Sequence, residues 1–408
     1  MKNIISFALG AMLLCFMHLT TAFADSRLIE ASGSYVMDIS LNETPDVAKN
    51  RAKEQAKRAA VEKAGVYIES YSKAVNLQLE TDEIHMVAAQ LLKIEEETSN
   101  VSVVQENLLK FTVTIKAVVS DTDGLALQSI MKDKQGLEES VRRYNELQKE
   151  YDELKAQMDS LKKAYGTATN AEEKAGLQKA IENNDIKFSA NQSIERGNAL
   201  YAQKRYREAL AEYDEAVKLN PSSSEAYNNR GLTYYHLRQP DRAMEDFNRA
   251  TELNQEFAYA YNNRGIVHYD FGRVAAAIED YTRAIRLMPQ YQFAYNNRGN
   301  SYAAVGQYDS AIKDFRQALS IDAGYADAHN NLGNVYAALE RYPEAVQEYT
   351  KAVQANQEYS ECYYNRASVY ARLGRYGEAL SDINRSLELR PDDEAAHNLR
   401  QMIQQKMR

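Results

Sequence analysis

QFAYNNRGNSYAAVGQYDSAIKDFRQALSIDAGY, residues 292–325, is one copy of a unit that returns every 34 residues. Its Gly299 has counterparts at Gly197, Gly231, Gly265 and Gly333, with Ala367 in the sixth copy. The same step carries Ala209, Ala243, Ala277, Ala311, Ala345 and Ala379. It also carries Tyr213, Phe247, Tyr281, Phe315, Tyr349 and Ile383, then Ala216, Ala250, Ala284, Ala318, Ala352 and Ser386. Pro221, Pro289 and Pro391 close three copies. Four slots in phase define six units: 190–223, 224–257, 258–291, 292–325, 326–359 and 360–393. Each reads as two helices of about 14 residues around a tight turn. Gly231 and Ala243 mark where the two helices approach closely, Tyr234 and Phe247 fill the space beside them, and Ala250 leaves room for the next unit. One unit cannot bury its apolar stripe alone, so the units stack. The predicted fold is mainly α, a six-repeat α-solenoid.

Spacing and residue types together resemble the tetratricopeptide repeat (TPR). Two slots depart from that family. Its Trp slot holds Tyr227, Tyr261, Tyr295 and Tyr363, with Ser193 and His329 elsewhere, and the chain has no Trp. The Leu before the glycine is Arg196, Arg230, Arg264, Arg298 and Arg366, and only Leu332 fits the pattern. Arginine there can lay its stem on the neighbouring helix. Asp246, Asp280, Asp314 and Asp382 recur in the same phase and are the expected partners of its head.

Working outward, Leu137, Tyr144, Tyr151, Met158 and Tyr165 share one heptad position and Leu147, Leu154 and Leu161 another. Charged flanks on such a seam predict a coiled-coil helix over 131–165, with homo-oligomerisation through 133–165. The same pattern also fits a long helix packed back on its own chain. Residues 166–189 read as a linker with helical content, broken at Thr167–Asn170 and at Asn183-Asn184-Asp185. Past the repeats, 394–408 reads as a polar capping helix.

Residues 25–130 read as a small α+β domain. Ile29, Ala31, Gly33, Tyr35 and Met37 alternate as a strand, and Thr44-Pro45-Asp46 starts a helix with Ala48, Ala52, Ala56, Ala59 and Ala60 facing a sheet. Gly65 interrupts it, a second helix spans about 82–92, and strands follow near 101–105 and 109–119. Ala31-Ser32-Gly33, the alanine-spaced helix into Ala64-Gly65-Val66 and the closing strand resemble the amino-terminal domain of the flagellar assembly protein T family. That resemblance implies a cell-envelope protein and no particular reaction.

Lys2, the apolar run Ile4–Leu19 and Ala22-Phe23-Ala24 form a signal peptide over 1–24. Its removal would take the net charge from -9 to -10, since Lys2 is its one cation. The expected location is the periplasm of a Gram-negative bacterium. Cys362 would be the one cysteine left, in the slot held by Ala226, Ala260, Ala294 and Ala328, so no internal disulfide is expected. An acidic chain without a basic stripe argues against nucleic acid as partner. No later stretch is apolar enough for a transmembrane segment.

Catalytic motifs are missing: there is no CxxC, HExxH, G-x-S-x-G or phosphate loop, and the six histidines show no metal spacing. No enzyme, metal or cofactor is expected. A binding row is visible instead. Asn229, Asn263, Asn297, Asn331 and Asn365 precede the recurring Arg-Gly or its variants, with Glu195 in the first copy. Asn300 and Asn334 continue the same helix face three residues on. The TPR resemblance implies that first helices line a concave groove, and that such an asparagine row holds the backbone of an extended peptide, since an amide both donates and accepts. Tyr201, Tyr235 and Tyr269 line that groove in early copies, and Ala303, Ala337 and Ala371 make it roomier later. The expected function is a non-enzymatic protein–protein interaction scaffold. Two alternatives are an envelope assembly factor docking through the α+β domain, and an enzyme with its site in 25–130.

Overall fold

The computed structural model describes residues 28–74, 79–119 and 134–407. The expected signal peptide, residues 25–27, 75–78 and 120–130 of the small domain and residues 131–133 of the expected coiled-coil helix lie outside them. The chain divides into two compact units, 1–222 and 223–408.

The first unit opens with three antiparallel strands, β1 (Ile29–Asp38), β2 (Leu92–Gln105) and β3 (Leu108–Val119), in the order β1-β3-β2. Tyr35 of β1 and Val101 of β2 both lie opposite Phe111 of β3. Helix α1 (Pro45–Ala74) covers one face, burying Ala48, Ala52, Ala56, Ala60 and Ala64. Small side chains let it come so close that any Cβ at Gly33 would run into the α1 backbone at Ala52 and Ala56. Two expectations are corrected here. α1 does not stop at Gly65, which sits under His85 of α2 (Thr81–Leu91). β2 starts at Leu92 because its charges find partners: Glu96 meets Lys116 of β3, and Glu97 bridges Lys49 and Lys53 of α1.

Helices α3 (Lys134–Thr167) and α4 (Ala171–Ala202) form an antiparallel hairpin. Its apolar seam is covered from within the chain, the second of the two readings that the heptad pattern allows. Leu147, Tyr151, Leu154 and Met158 are buried within the chain. Met158 packs on Ile181 and Leu41, and the Tyr151 ring lies 5.3 Å from Phe188. Leu137 joins the core of the small domain. The expected break at Thr167–Asn170 falls where the two helices meet, and the rest of the expected linker is helix. Asn170 caps α4 by accepting the Glu173 N–H, and the helix passes through Asn183-Asn184-Asp185 without a break. Arg51 of α1 donates to Asn184 Oδ1 at 2.7 Å and to Asp185 Oδ1 at 2.9 Å, so residues that favour turns are held in helix by a distant partner. α4 is also the first helix of the first repeat, and α5 (Tyr206–Leu219) is its second.

The second unit is a stack of five hairpins: α6 (Ser224–His236) with α7 (Pro240–Leu253), α8 (Ala258–Asp270) with α9 (Val274–Leu287), α10 (Gln292–Ala304) with α11 (Tyr308–Ile321), α12 (Ala326–Ala338) with α13 (Tyr342–Ala355), and α14 (Ser360–Arg372) with α15 (Tyr376–Leu389). A Cβ on Gly299 would stand 2.7 Å from Phe315, which explains the paired slots. Where the glycine becomes Ala367, the aromatic shrinks to Ile383. The closing α16 (Glu394–Lys406) is capped by Asp393 and packs Ala396, Leu399 and Ile403 against Ile383 and Leu387. In chain order the architecture is a small α+β domain followed by an α-solenoid of helical hairpins.

Candidate functional site

The asparagines come in doublets, and the doublets are joined from repeat to repeat. Nδ2 of Asn263 donates to Oδ1 of Asn228 at 3.0 Å, and Asn297 to Asn262 at 3.1 Å. Asn331 donates to Asn296 at 3.0 Å, and Asn365 to Asn330 at 3.1 Å. Each bond spans 35 residues and links the first helices of adjacent repeats. Sequence reading missed the first member of each doublet. The signal was present, since Asn-Asn stands before the arginine in repeats two to four, but its bonding partner lies a whole repeat away.

This geometry splits the predicted site residues. Asn229 and Asn263 are buried. Asn228 donates to Asn229 at 3.1 Å, and Asn229 donates to Glu225 at 3.0 Å. Asn262 donates to Asn263 at 3.4 Å. These two side chains belong to the wall, which corrects their expected place in a groove. Asn297, Asn331 and Asn365 are half-buried, and of their side-chain atoms only Nδ2 is used in protein hydrogen bonds among the described residues. Asn334 is exposed, and its Oδ1 accepts from the Tyr349 hydroxyl at 2.7 Å. The residue in the Tyr349 slot of Asn300's repeat is Phe315, which has no hydroxyl to donate to Asn300. The Tyr235 hydroxyl donates to Asp270 at 2.7 Å, and burial together with that bond pushes its pKa up to about 12. Tyr269 is exposed.

The arginine slot braces the wall. Arg298 forms a two-pronged contact with Asp314 at 2.7 and 2.8 Å and donates to Thr282 of the preceding repeat at 3.0 Å. Its guanidinium lies 5.7 Å from the Tyr295 ring and 5.8 Å from Tyr302. Arg230–Asp246, Arg264–Asp280 and Arg366–Asp382 repeat the pair, as the phase of the acids predicts. In the repeat with Leu332, His329 Nδ1 meets Glu348 at 2.6 Å and Nε2 meets the Ala323 carbonyl at 3.2 Å, so packing and bonding account for this histidine.

Tetratricopeptide repeat family models match residues 224–257, 258–291 and 324–392, and a TPR repeat model matches 197–237 and 299–340. The repeat region is a tetratricopeptide-repeat array. Hsp70-Hsp90 organizing protein 1 of Glycine max is 44% identical over 48 residues, 12% of this chain and 8% of that protein. The crystal structure of the APC/C hetero-tetramer Cut9-Hcn1 is similar at 19% identity and TM-score 0.50, over 55% of this chain and 45% of that one. PilF of Pseudomonas aeruginosa is similar at 16% identity and TM-score 0.48, over 53% of this chain and 99% of that one. The chain thus spans less than half the length of the first two, and the likeness to Cut9-Hcn1 is one of fold. A tetratricopeptide array is a protein–protein interaction scaffold. Among the described residues no helix is long and apolar enough to cross a membrane.

Proposed function

We propose that the protein is an exported, non-enzymatic scaffold that holds an extended protein segment along its later repeats. The observation that carries this reading is the Oδ1 row of Asn297, Asn331 and Asn365, half-buried and without protein hydrogen bonds among the described residues. Such an acceptor takes a backbone N–H whatever the side chain. Ala303, Ala337 and Ala371 follow on the same helices and leave room for bulky side chains of the guest. The leader, with Lys2, the apolar run and Ala22-Phe23-Ala24, supports export to the periplasm.

In-cell crosslinking with mass spectrometry, comparing wild type with Asn297→Ala plus Asn331→Ala, tests the reading. Partner capture should fall in the double variant. Asn296→Ala cuts the same ladder bond from the other side and leaves the Asn331 acceptor in place. Equal loss in both variants would sink the proposal. A second reading rests on β2, an edge strand with Val101, Val103 and Val104 exposed, and makes the small domain the docking surface. Capture lost in Val103→Lys and kept in the asparagine variant would assign it there.

A further inference from the structure

The first repeat lacks the asparagine. Its slot holds Glu195 of α4, and this carboxylate turns to the small domain. Lys57 of α1 reaches Glu195 at 2.9 Å and Glu54, one turn earlier on α1, at 3.6 Å. Glu54 is 7% exposed at its side chain, against 26% for Lys57 and 31% for Glu195. Its Oε2 is buried without a hydrogen bond. The Tyr151 hydroxyl of α3 donates to Glu195 at 3.2 Å. The charged and titratable groups facing Glu54 are Lys57 and Arg58 of α1, Tyr144 and Tyr151 of α3, and Glu195 of α4. Arg58 is shared with Asp152 and the Gln148 carbonyl of α3, so Lys57 is the main cation between two carboxylates.

We propose that Glu54, Lys57 and Glu195 form a proton-operated latch that fastens α1 of the small domain to α4, the first helix of the repeats. One ammonium neutralises one carboxylate. The second is stable in this buried place only while protonated. Burial, and then the facing charge of Glu195, push the Glu54 pKa from its ordinary 4.5 up to about 7. Burial works against the Lys57 ammonium, yet Glu195 and Glu54 hold its pKa above the ordinary value, so it stays charged throughout.

The sign follows from linkage. Closed, Glu54 keeps its proton up to about pH 7, whereas open and solvated it releases the proton above about 4.5. Opening therefore releases a proton between those values, and the opening constant rises up to about tenfold per pH unit across the window. The open latch uncovers the α4 face that carries Glu195, the counterpart of Asn229 in the next repeat. Arg143 of α3, stacked 4.4 Å over Tyr201 of α4, shows that this helix is held at a second point and that the latch controls one end of the contact.

Hydrogen exchange by mass spectrometry on the full chain between pH 5 and 7, corrected for intrinsic rates, tests the proposal. Peptides covering 51–58 and 191–202 should exchange faster as pH rises, by up to about tenfold per unit, while those of 292–359 keep a constant protection. Glu54→Gln, which mimics the protonated acid, should abolish the dependence. A flat wild-type profile, or an unaltered one in Glu54→Gln, overturns the latch. If that variant fails to fold, carbon-13 NMR of the glutamate carboxyls in the wild type decides: no carboxyl titrating near neutrality overturns it equally.

Discussion

The Asn331 side-chain amide donates to Oδ1 of Asn296 across 3.0 Å and 35 residues of sequence, and so pins the first helix of one repeat to the first helix of the one before. The same relation recurs three more times, which makes the ladder a load shared along the stack. Asn330, 1% exposed, accepts the last of these bonds. Asn330→Ala should destabilise the protein by about 1–3 kcal/mol, because it strands the Asn365 amide. Urea denaturation checks it, and an unchanged midpoint would rule the ladder out as a stabilising element.

Arg298 and Asp314 are 16% and 5% exposed at their side chains, so neither charge tolerates losing the other. Asp314→Leu alone should cost about 3 kcal/mol, since it leaves a guanidinium in a poorly solvated place. Adding Arg298→Met to that variant should restore much of the loss. A double-mutant cycle by chemical denaturation measures both, and additive losses would contradict a coupled pair.

The second residue after the first helix adopts a left-handed backbone in every described repeat. Gly272, Gly306 and Gly374 take it with φ of 70, 75 and 72°, and Lys204, Arg238 and Glu340 with φ of 59°. A side chain there costs roughly 1–2 kcal/mol. Glu340→Gly should therefore raise the thermal midpoint, and a lowered one would show that the side chain contributes more than the strain removes.

Burial raises the Cys362 thiol to about 12, far from the thiolate that alkylating reagents need. In the native protein Cys362 should stay unmodified by iodoacetamide at pH 8 and react fully once unfolded in guanidinium. Rapid native labelling would place the sulfur at an accessible surface.

The repeats were legible because each slot is tested six times: Gly299 with Phe315, and Ala367 with Ile383, report one contact in two solutions. The arginine–aspartate pairs were legible because both partners keep the same phase. The seam of α3 was harder. Leu147, Tyr151, Leu154 and Met158 announce that something covers them, and a heptad pattern does not say whether a second copy or the following helix does so. Asn184 and Asp185 misled for a related reason, as Arg51, which holds them, is 133 and 134 residues away. Asn229 and Asn263 looked like ligands because an amide has the same formula in a wall as in a groove.

Helix α4 runs 32 residues from Ala171 to Ala202 without interruption. Arg51 grips it at Asp185 and Lys57 at Glu195, ten residues further on. Each residue of an α-helix turns the chain by about 100°. Inserting a single amino acid between those two grips would swing Glu195 out of reach of Lys57, however conservative the insertion. The rotational timing of one rod thus decides whether the two ends of this unit can be clamped together at all.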